Sequence, residues 1–520
     1  MDRGTKILLF IIAIAAIYIV YKSLFPVARA FGDIGPVRVV EGPWLEGWSF
    51  RVPVDIGPNT GGDITDTVGV AIIDTKTLID LGLMKPDCSD IRVTDSDGVT
   101  LLKFWVQPDS CGLNNTYIYI RLPIVRSGET KRVYIYFGNS KAESASNGYE
   151  VFDFFDDFEG EEIDLNKWQI SSGTVGDRIY LSGGKLYIES DGYAPVKTIA
   201  TRERVVKQNS AVIVRVAPVA IHLGHHFGIV LADSLSSPNG VAYLIRGHGT
   251  GGVYSDNLQA INGGSWGSGN GFYRYMPNLF EVYRHNYYRT AIIERRGTAA
   301  YLHFEGGTVS VSFPLAGELY IVIPRMWDEN TGDRGVFAVD FIAVIENYNE
   351  KLMGVVIRNI ISSIETHKDI FDVDVLIPSD KIYFTNQFPL RFRVVSGETG
   401  VFRVFINDKE IASVGVSRGI IKNVEIPSSE ISKYIKKEGK YIIKFRFERG
   451  DFVREVIHEF IYGIPGLYGD PKYRYRIPIV IEERSGNDLV DVVIPLRLNL
   501  REYIQSGMMR RDCFDIMFTD

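Results

Sequence analysis

The sequence predicts an all-β protein, built from serial β-sandwich domains that follow an N-terminal apolar helix. At 520 residues the chain is too long for one hydrophobic core, so we expect about three or four domains. Short runs of alternating apolar and polar residues, bounded by Gly, Pro and Asn, recur along the chain and are typical of half-buried strands. Residues 48–95 also recur, without a gap, at residues 473–520, which indicates a repeated module.

The composition is that of a folded protein with no specialised charge pattern. Hydrophobic residues make up 45% of the chain and charged residues 23%, and the net charge of −7 is spread along it. Nucleic acid is therefore not an expected partner, because duplex binding requires clustered Lys and Arg. The abundance of Ile, Val, Lys, Arg and Glu favours a thermophilic source.

The first 30 residues are predicted to direct export. Arg3 and Lys6 precede an apolar run at residues 7–21, and Ala28-Arg29-Ala30 supplies a cleavage signal, so we expect a secretory signal peptide cut after Ala30. An uncleaved membrane anchor is the first alternative, since apolar residues continue beyond Lys22. A prepilin leader cut after Gly4 is the second, although the charge on Lys6 disfavours it. All three place the rest of the chain outside the cytoplasm, at the cell surface or secreted.

A small β-sandwich is expected at residues 48–150, after a linker at 31–47. In chain order, the predicted elements are a strand at 50–56, a helical turn at 75–81, a hairpin turn at Asp97-Gly98 and strands at 117–122 and 132–137. The repeat predicts an incomplete second copy of this sandwich at 466–520. We expect the native polypeptide to continue past this copy, and residues 471–520 to be the least well packed.

Cysteine usage fits an exported protein. Cys88 and Cys111 lie within the first sandwich, and a disulfide between them would stabilise it by about 3 kcal/mol. The alternative is a pair of buried free thiols. Cys513 is the counterpart of Cys88 in the second copy, and its own partner would fall beyond residue 520.

The first sandwich resembles a known family on the strength of several short motifs. These are Trp48 with Arg51-Val52-Pro53, Asp87-Cys88-Ser89-Asp90-Ile91-Arg92, Asp95-Ser96-Asp97-Gly98, Tyr134-Ile135-Tyr136-Phe137-Gly138-Asn139 and Phe155-Asp156-Asp157-Phe158. Over about residues 48–158 the chain looks like domain-of-unknown-function family 2341 (DUF2341). The resemblance implies an exported protein, of archaeal origin in this case, with a lectin-like sandwich following. It implies no catalytic residues.

Two further sandwiches are expected after the first. Residues 151–349 resemble a concanavalin A-like jelly roll of the lectin/glucanase (LamG) type at both ends, in Asp156-Asp157-Phe158 with Trp168 and in residues 339–344. A connecting segment at 350–371 leads to residues 372–465. That stretch is predicted to be an immunoglobulin-like sandwich with a turn at Asn407-Asp408, although it lacks the Cys and Trp of antibody domains.

Two groups of residues are weighed as catalytic or zinc-binding. The stretch Glu161-Glu162-Ile163-Asp164 resembles the carboxylate strand of laminarinase-type glycoside hydrolases, but Asn166 replaces the third acid, so a solvated turn is favoured. His222, His225 and His226 could bind zinc, but they would not all share one face of a strand, so polar or edge roles are favoured.

The remaining candidate sites bind calcium or glycan, or carry a modification. No cofactor is required, but a structural calcium ion is possible at five acids, Asp156, Asp157, Asp328, Asp333 and Asp340. Sugar rings stack on exposed aromatic rings, so a Gly-rich aromatic stretch is the glycan candidate through Trp266, Asn270, Tyr273, Arg274 and Tyr275. Asn114 begins an Asn-x-Thr glycosylation signal.

Together these features predict an exported cell-surface protein that binds a glycan or another surface polymer without cleaving it. One alternative is a structural subunit of an extracellular filament or envelope layer, with self-assembly through the N-terminal helix. The other is a glycoside hydrolase. Expected partners are a surface glycan and, if the helix is retained, the membrane.

Overall fold

The computed structural model confirms the predicted all-β class. It describes residues 29–30, 33–171, 178–190, 198–220, 226–235, 239–248, 253–261, 273–274, 288–304, 307–313, 315–327, 335–378, 382–383, 386–450 and 452–462. The expected N-terminal apolar helix and the second copy at 466–520 lie outside these ranges. In the described part, the strands form six sheets, and none of the helices there has the length and apolar character that a membrane span needs.

The chain divides into two compact units. The described residues within 40–367 form one of them, and the described residues within 1–39 and 368–462 form the other. Two short strands come first, β1 (Arg29–Ala30) and β2 (Arg38–Val40).

The first sandwich of the 40–367 unit follows the predicted pattern. Its elements are β3 (Phe50–Ile56), β4 (Ile64–Ile73), helix α1 (Thr75–Asp80), β5 (Arg92–Asp95), β6 (Phe104–Val106), a 3-10 turn (Pro108–Ser110), β7 (Thr116–Val125), β8 (Lys131–Phe137) and helix α2 (Gly148–Val151). Asp74 caps α1 by accepting a hydrogen bond from the Thr77 amide (2.9 Å). The hairpin turn at Asp97-Gly98 is confirmed, with Gly98 at a φ of +79° that favours glycine.

Two facing sheets form the jelly roll that follows. Its strands are β9 (Phe154–Asp156), β10 (Trp168–Ile170), β11 (Arg178–Leu181), β12 (Leu186–Ser190), β13 (Thr198–Thr201), β14 (Ser210–Ala220), β15 (His226–Ala232), β16 (Gly240–His248), β17 (Val253–Ile261), β18 (Tyr273–Arg274), β19 (Arg289–Arg296), β20 (Ala299–Phe304), β21 (Gly307–Ser312), β22 (Tyr320–Trp327) and β23 (Gly335–Ile345). One sheet has the order β10-β13-β22-β15-β16-β17-β18, and the other β11-β12-β23-β14-β19-β20-β21. Alternate residues of both sheets fill the core between them, which is centred on Trp168, Phe227 and Phe337.

The segment after the jelly roll returns to the first sandwich. It contains a 3-10 turn (Glu350–Leu352), β24 (Val355–Val356), helix α3 (Ile360–Ser363) and β25 (Glu365–His367). Strand β24 pairs in parallel with β4, and β25 pairs antiparallel with β3 at Glu365 and Arg51. The sequence predicted only a connector here, whereas the segment extends both sheets of the first sandwich, which become β25-β3-β8-β5 and β24-β4-β7-β6.

The first sandwich and the jelly roll share a hydrophobic core. Trp105 of β6 lies within 4.9 Å of the Phe341 ring of β23 and 5.0 Å of the Phe155 ring of β9, measured between ring centroids. Val68, Ile213 and other buried residues of both sandwiches complete this cluster. Residues 40–367 are therefore expected to unfold together.

The immunoglobulin-like sandwich lies in the other unit. Its elements are β26 (Phe371–Ile377), β27 (Ile382–Tyr383), β28 (Leu390–Ser396), β29 (Gly400–Ile406), β30 (Lys409–Val416), β31 (Lys422–Ile426), helix α4 (Ser428–Ile431), β32 (Gly439–Arg449) and β33 (Phe452–Tyr462). The sheets have the orders β1-β31-β28-β26 and β27-β33-β32-β29-β30. The Asn407-Asp408 turn is confirmed, with both residues at positive φ (45° and 64°). Strand β1, at the expected cleavage position, pairs with Glu425 and Val424.

Candidate functional site

The motif at residues 87–92 places a buried aspartate, Asp90, between loops of the first sandwich. Asp90 is 1% exposed, and its carboxylate accepts hydrogen bonds from the amides of Gly138 (2.8 Å) and Lys85 (3.1 Å). The Trp48 indole donates to the Asp90 carbonyl oxygen (2.7 Å). Burial raises the pKa of Asp90, which the backbone donors only partly offset. Asp90 and Trp48 therefore hold loops of the first sandwich together, and the Asp90 carboxylate is closed to solvent.

A second motif residue, Arg51, is enclosed in a buried network. Its Nε donates to Glu365 Oε2 (2.9 Å) and its NH1 to the Tyr136 hydroxyl (2.8 Å). The guanidinium lies 4.7 Å from the Trp44 ring centroid and 3.8 Å from that of Tyr134. Arg51 and Glu365 are only 5% and 4% exposed, so the network fastens β25 to the sheet and is closed to a ligand.

The predicted disulfide between Cys88 and Cys111 is confirmed, with their Cα atoms 6.1 Å apart. The loop that leads to Cys111 also contacts the jelly roll. Asp109 pairs with Arg215 NH1 at 2.5 Å. The disulfide thus anchors a loop that lies against the neighbouring sandwich.

Reduction of this disulfide is expected to lower the free energy of unfolding of residues 40–367 by about 3 kcal/mol, because the unfolded chain regains the entropy of the closed loop. Thermal melts with and without reductant measure the effect. Thiol titration of the unreduced, denatured chain is expected to find one thiol, that of Cys513. Three reactive thiols would contradict the prediction, and a Cys513→Ser variant that keeps the reductant effect is the matched control.

The acidic stretch considered for glycoside hydrolysis lies in a turn. Glu161 and Glu162 are exposed and precede β10. The Asp164 carboxylate accepts from the amide of Asn166 (2.9 Å), which closes the turn. These acids therefore do not lie on a strand of either jelly-roll sheet, where a carboxylate pair would face a cleft.

Three of the predicted calcium ligands are described, and their carboxylates bind other groups. Asp156 accepts from the Trp168 indole (2.7 Å) and the Phe158 amide (3.0 Å), and Asp157 accepts from the Tyr149 hydroxyl (3.2 Å). Asp340 stands at a β-bulge between the paired residues of β14 and β23. Its carboxylate pairs there with two cations, at 2.9 and 2.8 Å, those of Lys185 and Arg215. Such contacts disfavour calcium at Asp156 and Asp340, whereas Asp328 and Asp333 lie outside the described residues.

Two of the five glycan candidates, Tyr273 and Arg274, lie at one edge of the seven-stranded sheet. The backbone of Tyr273 and Arg274 forms β18, which pairs with Gln259 and Leu258 of β17. The other three candidates, Trp266, Asn270 and Tyr275, lie outside the described residues. So do two of the histidines considered for zinc, His222 and His225, while His226 begins β15.

The outer face of the seven-stranded sheet is apolar at its centre. Its residues there are at most 6% exposed and are Ala200, Val230, Ala232, Ala242, Leu244 and Val322. The four strands that carry them, β13, β15, β16 and β22, contain no Asp or Glu. The described centre of this face therefore offers no carboxylate for acid–base chemistry.

One polar cluster was not predicted from the sequence. Oxygen or nitrogen atoms of Glu294, His303 and Glu350 lie within 4.8 Å of one another. Burial raises the pKa of Glu294, but hydrogen bonds from His303 (2.8 Å) and Arg296 (2.6 and 2.7 Å) outweigh it and hold that pKa below its usual value. Because Arg296 already binds both oxygens of Glu294, the cluster is best described as an ion-pair network around one buried carboxylate, that of Glu294.

The glycosylation signal has one exposed and one buried member. Asn114 is exposed in a turn, whereas Thr116 is fully buried and its hydroxyl lies 2.5 Å from that of Thr75. Asn114 is thus accessible in the folded state, and its modification stays a prediction.

The comparison with family models supports the resemblance to DUF2341 over part of the chain. Residues 87–171 match the family described as Domain of unknown function (DUF2341). This match begins later than the expected start at residue 48 and extends into the first strands of the jelly roll. No curated protein matches the chain.

Several solved glucanase structures are similar to part of the chain. An endo-β-1,3-glucanase from Pyrococcus furiosus is 14% identical, with a TM-score of 0.30, and covers 38% of this chain and 94% of its own. The laminarinase catalytic domain from Thermotoga maritima is 13% identical, with a TM-score of 0.30 and coverages of 38% and 98%. A pseudo β-1,3-glucanase from Mycobacterium tuberculosis is 13% identical, with a TM-score of 0.29 and coverages of 39% and 100%. Similarity at this level carries no argument about function.

Proposed function

We propose that the chain is an exported surface protein whose jelly roll binds a glycan or another surface polymer without cleaving it. The proposal that the glycan is not cleaved is supported by one observation. The four central strands of the seven-stranded sheet contain no Asp or Glu. A retaining glycosidase needs two carboxylates about 5 Å apart and an inverting one needs them about 6.5–9.5 Å apart. Four neighbouring central strands without Asp or Glu cannot supply such a pair from that face.

Export is supported by the chemistry of the first sandwich. A Cys88–Cys111 disulfide forms and persists in oxidising compartments and is rare in the cytosol. The apolar run at 7–21 is the proposed export signal or anchor. The pairing of Arg29 and Ala30 with β31 favours retention of this segment, because cleavage after Ala30 would remove β1.

The glycan site is proposed at residues 266–275. Tyr273 and Arg274 attach this stretch to the edge of the jelly roll, and Trp266 and Tyr275 provide aromatic rings on which a sugar can stack. Asn270 and Arg274 would bind the hydroxyl groups. This function requires no cofactor.

A glycan array probed with the purified full chain tests the proposal. Binding to at least one glycan class is expected, and Trp266→Ala is expected to weaken it about fivefold, because one stacking contact contributes about 1 kcal/mol. Leu165→Ala is the matched control, since Leu165 is 56% exposed elsewhere in the same sandwich. The proposal fails if the array shows no signal, or if both variants bind as the wild type does. Release of soluble sugar would favour the hydrolase instead.

A structural role is the second candidate, favoured by a specific observation. The shared core around Trp105 joins two sandwiches into one compact unit, as expected of a spacer that bears load. In that case the N-terminal helix would be the assembly element. Uncleaved N-terminal peptide in polymerised material from the native source would support this role, and its absence would count against it.

A further inference from the structure

One face of the immunoglobulin-like sandwich exposes an unusual amount of apolar surface. In β32, alternate residues such as Ile443 and Phe445 lie in the core, so the residues between them point outward. Of the fourteen large hydrophobic residues that are exposed in the described part of the chain, five lie on this outer face, namely Val401, Ile442, Val453, Ile457 and Ile461. Such a concentration on one sheet is typical of an interaction surface.

The strand register makes the isoleucines contiguous. Ile442 of β32 lies opposite Glu459 of β33, and Ile457 and Ile461 stand on either side of Glu459 on the same face. Their exposures are 38%, 57% and 38%. They therefore form one apolar patch across two adjacent strands.

Charges on the same two strands are segregated by sign. The outward cations of β32 are Lys440, Lys444 and Arg446, and the outward acids of β33 are Glu455 and Glu459. Lys440 pairs with Glu459 at 2.6 Å, and Arg446 lies 3.6 Å from Glu455. Glu448 lies at the end of the basic row of β32. On this face β32 is therefore largely positive, and the adjacent β33 is negative.

This arrangement is complementary to itself. A two-fold axis parallel to the strands, midway between β32 and β33, would place the basic strand of one copy over the acidic strand of the other. With the observed register, Arg446 of one copy would face Glu455 of the other, and Ile442 of one copy would lie over Glu459 of the other, flanked by Ile457 and Ile461. Nucleic acid or an anionic surface fits less well, because the acidic row would face it.

The outer face of this sheet is large enough for a small protein–protein interface. Strands β32 and β33 have 11 residues each, and β29 and β30 have 7 and 8. At about 3.3 Å per residue and 4.8 Å between strands, the face covers roughly 600 Å². Specific interfaces bury about 800 Å² per partner, and smaller ones are typically weak and transient, so a reversible dimer with a dissociation constant in the micromolar range or above is expected.

We propose that this face, defined by Val401, Ile442, Val453, Ile457 and Ile461, is an interface between two copies of this chain. The proposal is independent of glycan binding, which is placed on the jelly roll. It assigns the immunoglobulin-like sandwich a role in pairing the chains.

Sedimentation velocity of the full chain over a range of concentrations tests the interface. The protein is kept in non-ionic detergent because of its apolar N-terminal run. The wild type is expected to dimerise at micromolar concentration, and Ile457→Lys is expected to shift the midpoint at least tenfold upward. Leu376→Lys is the matched control, since Leu376 is 41% exposed on the opposite sheet of the same sandwich. A monomeric wild type at every concentration, or a dimer that is insensitive to Ile457→Lys, would overturn the proposal.

Charge reversal distinguishes this geometry from non-specific association. Variant A reverses the acidic row (Glu455→Lys, Glu459→Lys) and variant B the basic row (Lys440→Glu, Lys444→Glu). Each is expected to be monomeric alone, because each would place like charges together, whereas an equimolar mixture is expected to form the A–B dimer. Failure of the mixture to associate, with both variants folded by circular dichroism, would exclude the proposed two-fold arrangement.

Discussion

Replacing Glu365 with alanine is expected to lower the free energy of unfolding of residues 40–367 by about 3–5 kcal/mol. The substitution leaves the Arg51 guanidinium, which is 5% exposed, without its anionic partner. A buried charge that has lost its partner is far more costly than a missing surface contact, and β25 would also lose its ion pair to the sheet. Chemical denaturation of the full chain, followed by tryptophan fluorescence, measures the loss.

Two variants make this prediction specific. Asp55→Ala breaks the exposed ion pair to Arg132 between the adjacent strands β3 and β8, and is expected to cost less than about 1 kcal/mol. The double variant Arg51→Met with Glu365→Leu removes both charges and is expected to recover most of the loss. An equal effect of Glu365→Ala and Asp55→Ala would contradict the buried network.

Trp105→Ala is expected to destabilise residues 40–367 by about 3–5 kcal/mol and to divide their unfolding into two steps. The Trp105 ring packs against the Phe155 and Phe341 rings of the jelly roll, at 5.0 and 4.9 Å between centroids. Removing it opens a cavity in the core that the two sandwiches share. Differential scanning calorimetry distinguishes one transition from two.

A matched variant separates loss of coupling from loss of stability. Phe447→Ala removes a fully buried ring from the immunoglobulin-like core, and is expected to lower the stability of that sandwich by a similar amount. It should leave the transition of residues 40–367 as one step. If Trp105→Ala also leaves a single transition, the coupling of the two sandwiches does not depend on Trp105.

The local elements of this fold could be predicted because their determinants are local. Strand β3 occupies residues 50–56, as alternation predicted, and α1 ends at Asp80, one residue before the expected end. The disulfide could be predicted because Cys88 and Cys111 lie 23 residues apart in one predicted domain.

The long-range features could not be predicted from pattern alone. Glu365 lies 314 positions from Arg51, and β25 has three residues, too few to show alternation. The contact between Glu294 and His303 is more local, because the two residues flank the turn at Gly297 that joins β19 to β20. A hairpin alignment around that glycine would have brought the two side chains to one face.

The returning strands β24 and β25 impose an order on folding. Ribosomes and export channels release a chain from its N-terminus, so the edges of β3 and β4 stay unpaired until about 300 further residues have emerged. The first sandwich is thus the first to be made, but it is closed only after the jelly roll has been made. A cell that produces this protein must keep those open edges from pairing with other chains until the jelly roll has been made and β24 and β25 have emerged.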